Sequence, residues 1–239
     1  MGTPVEHAPA YPHDPVQEIA EDVFAVRGSL LMNPLIRISR NMAVVRHAGE
    51  LSLINPVRLN DAGIDALQHL GRIGRIVTLG ALHGIDDAWY RARFGVESWA
   101  RAGSRKYPPP QDYRTLDEHQ PLPFPDAQLF CFHGTQPEAA MLLRRGAGLL
   151  LTCDAIQHYG DYRHASPAAK LLLPLLGFHK TTLIGPIWLK AVTPPDGTML
   201  ADFQRLLQLK FDSLFAAHGS FLPEGAHAAV EAAVRKAFG

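Results

Sequence analysis

Four apolar runs that stop on a histidine or an aspartate limit this chain's fold more than any other feature. RIVTLGAL leads to His83, AQLFCF to His133, GAGLLLTC to Asp154 and SLFAA to His218. Short, largely apolar runs bounded by Gly and Pro read as buried strands, and a polar residue at a strand's carboxyl end stands where functional loops leave a sheet. Ahead of the first run, LNDAGIDALQHLGR repeats Ile64, Leu67 and Leu70 at helical spacing behind a capping Asn60. Strand, amphipathic helix and strand in that order predict α/β layering.

The earlier runs QEIAEDVFAVRG, MAVVRH and ELSLIN predict an opening β-meander, with a hairpin turn at His47-Ala48-Gly49-Glu50. Residues 1–16, rich in Pro and His without periodicity, read as an extended arm, frayed or laid across the surface. A single domain is expected over residues 17–239, because 239 residues with 47% hydrophobic content bury one sizeable core.

Composition narrows the partners. Lys plus Arg and Asp plus Glu both total 23, so no net field draws a polyanion, and nucleic acid and membrane are not expected. No run is long enough to span a bilayer and the N-terminus lacks the pattern of a secretion signal. Cys131 and Cys153 lie inside apolar runs without CxxC spacing. They read as core thiols of a cytoplasmic protein.

In ALHGIDDAWYRARFG a helix is expected from near Gly84, which would set Asp86 or Asp87 on the side of His83. One metal then touches both a histidine and a carboxylate, or the acids only complement the helix N-terminus. Asp154, directly after LLLTC, must exchange hydration for a cation, a metal or backbone donors. His218 precedes a glycine that permits a sharp turn.

Taken in order, a strand followed by His and Asp at spacing four, a strand ending in His, one ending in Asp and a late AHG resemble the metallo-β-lactamase superfamily. The resemblance runs from Gln17 to the C-terminus, with Asn55-Pro56 in place of the usual Asp-Thr-Gly turn. It implies an αββα sandwich of four layers. The family's HxHxDH motif falls on His83, Gly84, Ile85, Asp86, Asp87 and Ala88, so Ile85 and Ala88 replace two ligands, as in divergent bacterial branches. Carried over, one metal position keeps His83, His133 and Asp154, and the other keeps Asp87, His218 and the shared Asp154.

Three protein ligands and an open position suffice for catalytic zinc. The expectation is therefore one divalent ion on His83, His133 and Asp154, drawn toward His218, with Asp87 as general base and Asp86 the next choice. Zinc is the default, and iron, manganese or nickel suit the same donors. The implied activity is metal-dependent hydrolysis of a small-molecule ester, thioester, amide or phosphoester. A degenerate binding or assembly module and an iron-dependent redox enzyme remain open on the same fold. His158 and His164 read as rim or solvated loop residues. His179 and Trp188 lie in a Gly/Pro-punctuated stretch, a lid, a homodimer contact or simple packing. The long connection KYPPPQDYRTLDEHQPLPFP has no assignable role, nor have His7, His13, His47, His69, His119 and His227.

Overall fold

The structure, a computed structural model, describes residues 7–239. The meander forms β1 (Gln17–Ala20), β2 (Val23–Asn33), β3 (Ile36–His47) and β4 (Glu50–Ile54). Ala48 and Gly49 both take positive φ, 50° and 76°, which is the backbone of the predicted two-residue hairpin turn. Helix α1 (Asp61–Leu70) follows, with the Asn60 carboxamide accepting from Gly63 N at 2.9 Å. The chain returns as β5 (Arg72–Thr78), then α2 (Asp87–Phe94), β6 (Glu97–Ala100) and the short β7 (Arg114–Thr115). These strands make one sheet in the order β1-β2-β3-β4-β5-β6-β7, antiparallel through β4 and parallel beyond it.

The second half supplies β8 (Ala127–Phe132), β9 (Glu138–Leu143), β10 (Leu149–Thr152), β11 (Ile156–His158), α3 (Pro167–Leu175), β12 (Thr182–Ile184), α4 (Pro186–Val192), α5 (Leu200–Leu206), β13 (Ser213–Ala216) and α6 (Ala226–Phe238). A second sheet runs β13-β10-β9-β8, with β10 and β13 parallel, while β11 and β12 pair separately.

Alternation along the strands explains why they are apolar on both faces. Val23 and Ala25 of β2, Ala43 and Val45 of β3 and Leu149 and Leu151 of β10 meet between the sheets. Their neighbours Phe24, Val26, Met42 and Val44 point outward onto α1 and α2, while Phe130, Phe132 and Leu150 point outward onto α4, α5 and α6. The layers are therefore helix, sheet, sheet, helix, as predicted. A strand buried on both faces reads as a continuous apolar run.

Residues 7–16 lie along β2 and α1. Asp14 N donates to Arg27 O at 2.7 Å, Ser29 Oγ to Pro12 O at 2.7 Å and Asn60 N to His13 Nε2 at 3.1 Å. The expected arm is laid down over those residues, and its first six positions fall outside the described ones. The long Pro-rich connection contributes only β7, at the sheet edge, and the 177–195 stretch holds β12 and α4. Among the described residues no helix is long and apolar enough to cross a membrane.

Candidate metal centre

Three of the five predicted ligands converge. Asp154, two residues past β10, receives His83 from the loop after β5 and His218 from the loop after β13: its Oδ1 lies 3.3 Å from His83 Nε2 and 3.2 Å from His218 Nε2. The imidazole centroids are 5.0 Å apart at 69°. One donor atom from each of the three falls within 4.8 Å of the others.

Both sheets hold the cluster. His218 Nδ1 lies 2.6 Å from Ser39 O of β3, and since a carbonyl only accepts, the Nδ1 carries the proton. Ser39 Oγ accepts from Gly219 N, while Asn41 Nδ2 donates to Ala216 O and Gly219 O. Gly219 has φ 83°, and a Cβ there would come within 2.1 Å of His158 O, so the turn after His218 requires glycine. Asn55 takes φ 52° and accepts from Leu79 N at 3.0 Å, tying the end of β4 to the start of the His83 loop.

That loop is fixed by a buried guanidinium. Arg40 donates from Nη1 to Asp86 Oδ2 at 2.5 Å, and from Nη2 to Pro56 O and His83 O, each at 2.8 Å. Burial pushes the His83 imidazole down, an effect that Arg40 and His218 reinforce and Asp154 opposes, which favours the neutral ligand form. Burial alone would raise Asp154, yet His83 and His218 hold its carboxyl well below the usual range. His83 Nδ1 is buried and finds no hydrogen-bond partner among the described residues.

The remaining predicted residues lie elsewhere. His133 is not in the cluster: its Nδ1 sits 2.7 Å from Asp202 Oδ1 on α5, its backbone N donates to Asp202 Oδ2 at 2.6 Å, and its side chain is 71% exposed. The outer helical layer claims it. Asp87 also stays apart, because α2 begins at Asp87 rather than near Gly84 and its Oδ2 accepts from Thr78 Oγ1 at 2.7 Å. Burial pushes Asp87 up to about 6. Asp86, bound by Arg40 and by Arg58 N, has no freedom to act as a base.

One site residue escaped the sequence reading. Glu138 opens β9 fully buried, lies with Cys153 and Asp154 in a second donor cluster, and accepts from Ala155 N through Oε1. Burial and then the Asp154 charge push its carboxyl well above the usual range. Gly80 makes room for this pair, since a Cβ there would meet Cys153 Sγ at 2.5 Å and Glu138 Oε2 at 3.3 Å. A glutamate heading the apolar EAAMLL was the available signal. His158 bonds Thr182 Oγ1 at 2.9 Å, and His164 pairs with Asp14 at 3.0 Å. Trp188 lines the cavity above the cluster, and His179 is exposed.

His83, Asp154, His218 and Glu138 sit on the floor of a cavity of about 440 Å³ whose walls are mainly apolar, among them Leu30, Ile38, Leu173 and Phe178. The donor set fits a divalent ion. Two imidazoles and a carboxylate are usual zinc ligands, and a carbonyl holding the far nitrogen of His218 fixes the ring so that its Nε2 faces the ion.

No family model matches the sequence, and no curated protein matches it. Solved structures do. The metallo-β-lactamase FIM-1 from Pseudomonas aeruginosa, in its mono-zinc form, superimposes with a TM-score of 0.61 at 14% identity, covering 96% of this chain and 98% of that one. DIM-1 metallo-β-lactamase gives 0.63 at 12%, covering 95% and 99%. A metallo-β-lactamase from Erythrobacter litoralis gives 0.53 at 13%, covering 92% and 90%. Layer order, the strand-end cluster and these likenesses agree: the chain has the metallo-β-lactamase fold.

Proposed function

We propose that the chain is a metal-dependent hydrolase that holds one divalent ion on His83, Asp154 and His218. The observation that carries this reading is the pair His218 Nε2 and Asp154 Oδ1, 3.2 Å apart. With the Nδ1 proton committed to Ser39 O, a neutral His218 turns a lone pair toward a carboxylate oxygen. Two acceptors at that distance require a cation between them, a proton or a metal. His83 brings a third donor to the same place, which suits a metal better than a single proton.

A bound ion supplies Lewis acidity and brings the pKa of a coordinated water to about 7. Around it the protein does the rest. Arg40 fixes the His83 loop, Ser39 fixes the His218 ring, and the cavity walls limit water. Glu138, whose carboxyl is raised by burial and by the Asp154 charge, lines the cavity beside Asp154 and is our choice of proton donor to a leaving group. Zinc is our choice of ion, acting on a small ester, thioester, amide or phosphoester in a reducing cytoplasm, with which two buried, unpaired cysteines agree.

A second reading rests on the donor set alone. Two histidines and one carboxylate with open positions also serve non-haem iron in oxygen-using enzymes. The test is a panel of esters, thioesters, lactones and phosphodiesters, assayed with the protein as purified and after chelation. Turnover that chelation abolishes and added zinc restores supports the hydrolase. Restoration only by ferrous iron, with oxygen consumed, transfers support to the second reading.

A further inference from the structure

The cavity's polar floor lies beneath an apolar mouth that faces outward. On one side is the tip of the β2–β3 hairpin, where Met32 is 57% and Leu35 75% exposed. On the other is α3, with Leu171 at 76% and Leu175 at 84%, and beside it Ile187 of α4 at 58%. Met32 and Ile187 also line the cavity, so the exposed surface and the interior are continuous. Ser166, the N-cap of α3, donates from Oγ to Leu35 O at 2.8 Å and accepts from Ala169 N, which fastens the helix to the hairpin tip. A fixed apolar patch of this extent on a folded surface marks a docking site.

The charges around it indicate the occupant. The chain is neutral overall, but residues 23–49 and 162–195, which build both sides of the mouth, contain no aspartate or glutamate. Lys170, Lys180 and Lys190 are exposed on those segments, and the exposed Lys106 lines the cavity. A second copy seated two-fold on the same face would oppose these lysines to themselves. An anionic lipid layer accepts both features, taking leucines into its acyl region and lysines among its headgroups.

We infer that the mouth of the cavity docks on an anionic lipid surface, from which the site draws a substrate carrying an acyl chain. The substrate half rests on the hydrolase reading; the docking half does not. Membrane was not expected from the sequence because the summed charge is zero, whereas the fold gathers acid-free segments on one face.

The experiment is co-flotation of the full chain with vesicles of phosphatidylcholine alone or mixed with phosphatidylglycerol, at low and high salt, with and without chelation. Leu35, Leu171 and Leu175 do not line the cavity, so the combined variant Leu35→Gln, Leu171→Gln, Leu175→Gln probes the surface alone. The expected result is binding to the anionic vesicles roughly tenfold or more stronger than to neutral ones, weakened by salt and lost in the variant. Chelation leaves it unchanged, so failure of the hydrolase reading stays distinguishable. No binding to either vesicle, or binding that the variant retains, overturns the inference. A dimer in sedimentation that the variant dissolves, without vesicle binding, assigns the face to self-association instead.

Discussion

Arg40 and Asp86 form an ion pair inside the protein, Nη1 to Oδ2 at 2.5 Å, with side chains only 3% and 6% exposed. The pair is joined to the candidate metal centre through the same guanidinium, which also donates to His83 O. Removing one partner leaves the other charge buried and uncompensated, which typically costs about 3–5 kcal/mol. Asp86→Ala should lower stability by that amount in urea denaturation. A loss below about 1 kcal/mol would mean that the pair is hydrated and does not fix the loop.

Asp87 gives a prediction with a definite sign. Its carboxyl is raised by burial to about 6 from an ordinary 3.8, while the Thr78 hydroxyl partly opposes the rise. The folded chain therefore binds this proton more tightly than the unfolded one. That contribution is fully present below about pH 4 and is lost as pH rises through about 6. Asp87→Asn removes the buried charge, so the variant should gain about 1–3 kcal/mol on the wild type between pH 4 and pH 8. Parallel stability curves for the two proteins across that range would place Asp87 in a better solvated setting, or in the metal site.

His133 was expected to bind metal and pairs with Asp202 instead. His133→Ala should leave the metal content of the purified protein unchanged and cost about 1 kcal/mol, the worth of one part-buried hydrogen bond. Loss of the ion in this variant would show that His133 swings inward.

The sequence exposed most of the fold because its strands are buried on two faces and its turns carry their signals. Ala48-Gly49 and Asn60 formed the turn and the cap that their residue types favour. The site was legible in part. Asp154 and His218 follow apolar strands directly and each has one place to go, into the gap between sheet ends. His133 also follows a strand, but an acceptor on α5, distant in sequence, decides its side. Such a partner leaves no local pattern. Glu138 was missed for a related reason: at the head of EAAMLL a glutamate reads as a solvated strand end, and only the crossing of β9 past Gly80 buries it. The register of α2 failed because Asp86 and Asp87 suit either a helix start or its preceding turn. The acid-free segments are legible in the sequence, and their gathering on one face is not.

The centre formed by His83, Asp154 and His218 is tested most directly by elemental analysis of protein purified without chelators or added metal. Our account predicts about one divalent ion per chain, retained in His133→Ala and lost in Asp154→Asn and in His218→Ala, with all three variants folded by circular dichroism. Two ions per chain, or an ion that survives both Asp154→Asn and His218→Ala, would contradict it.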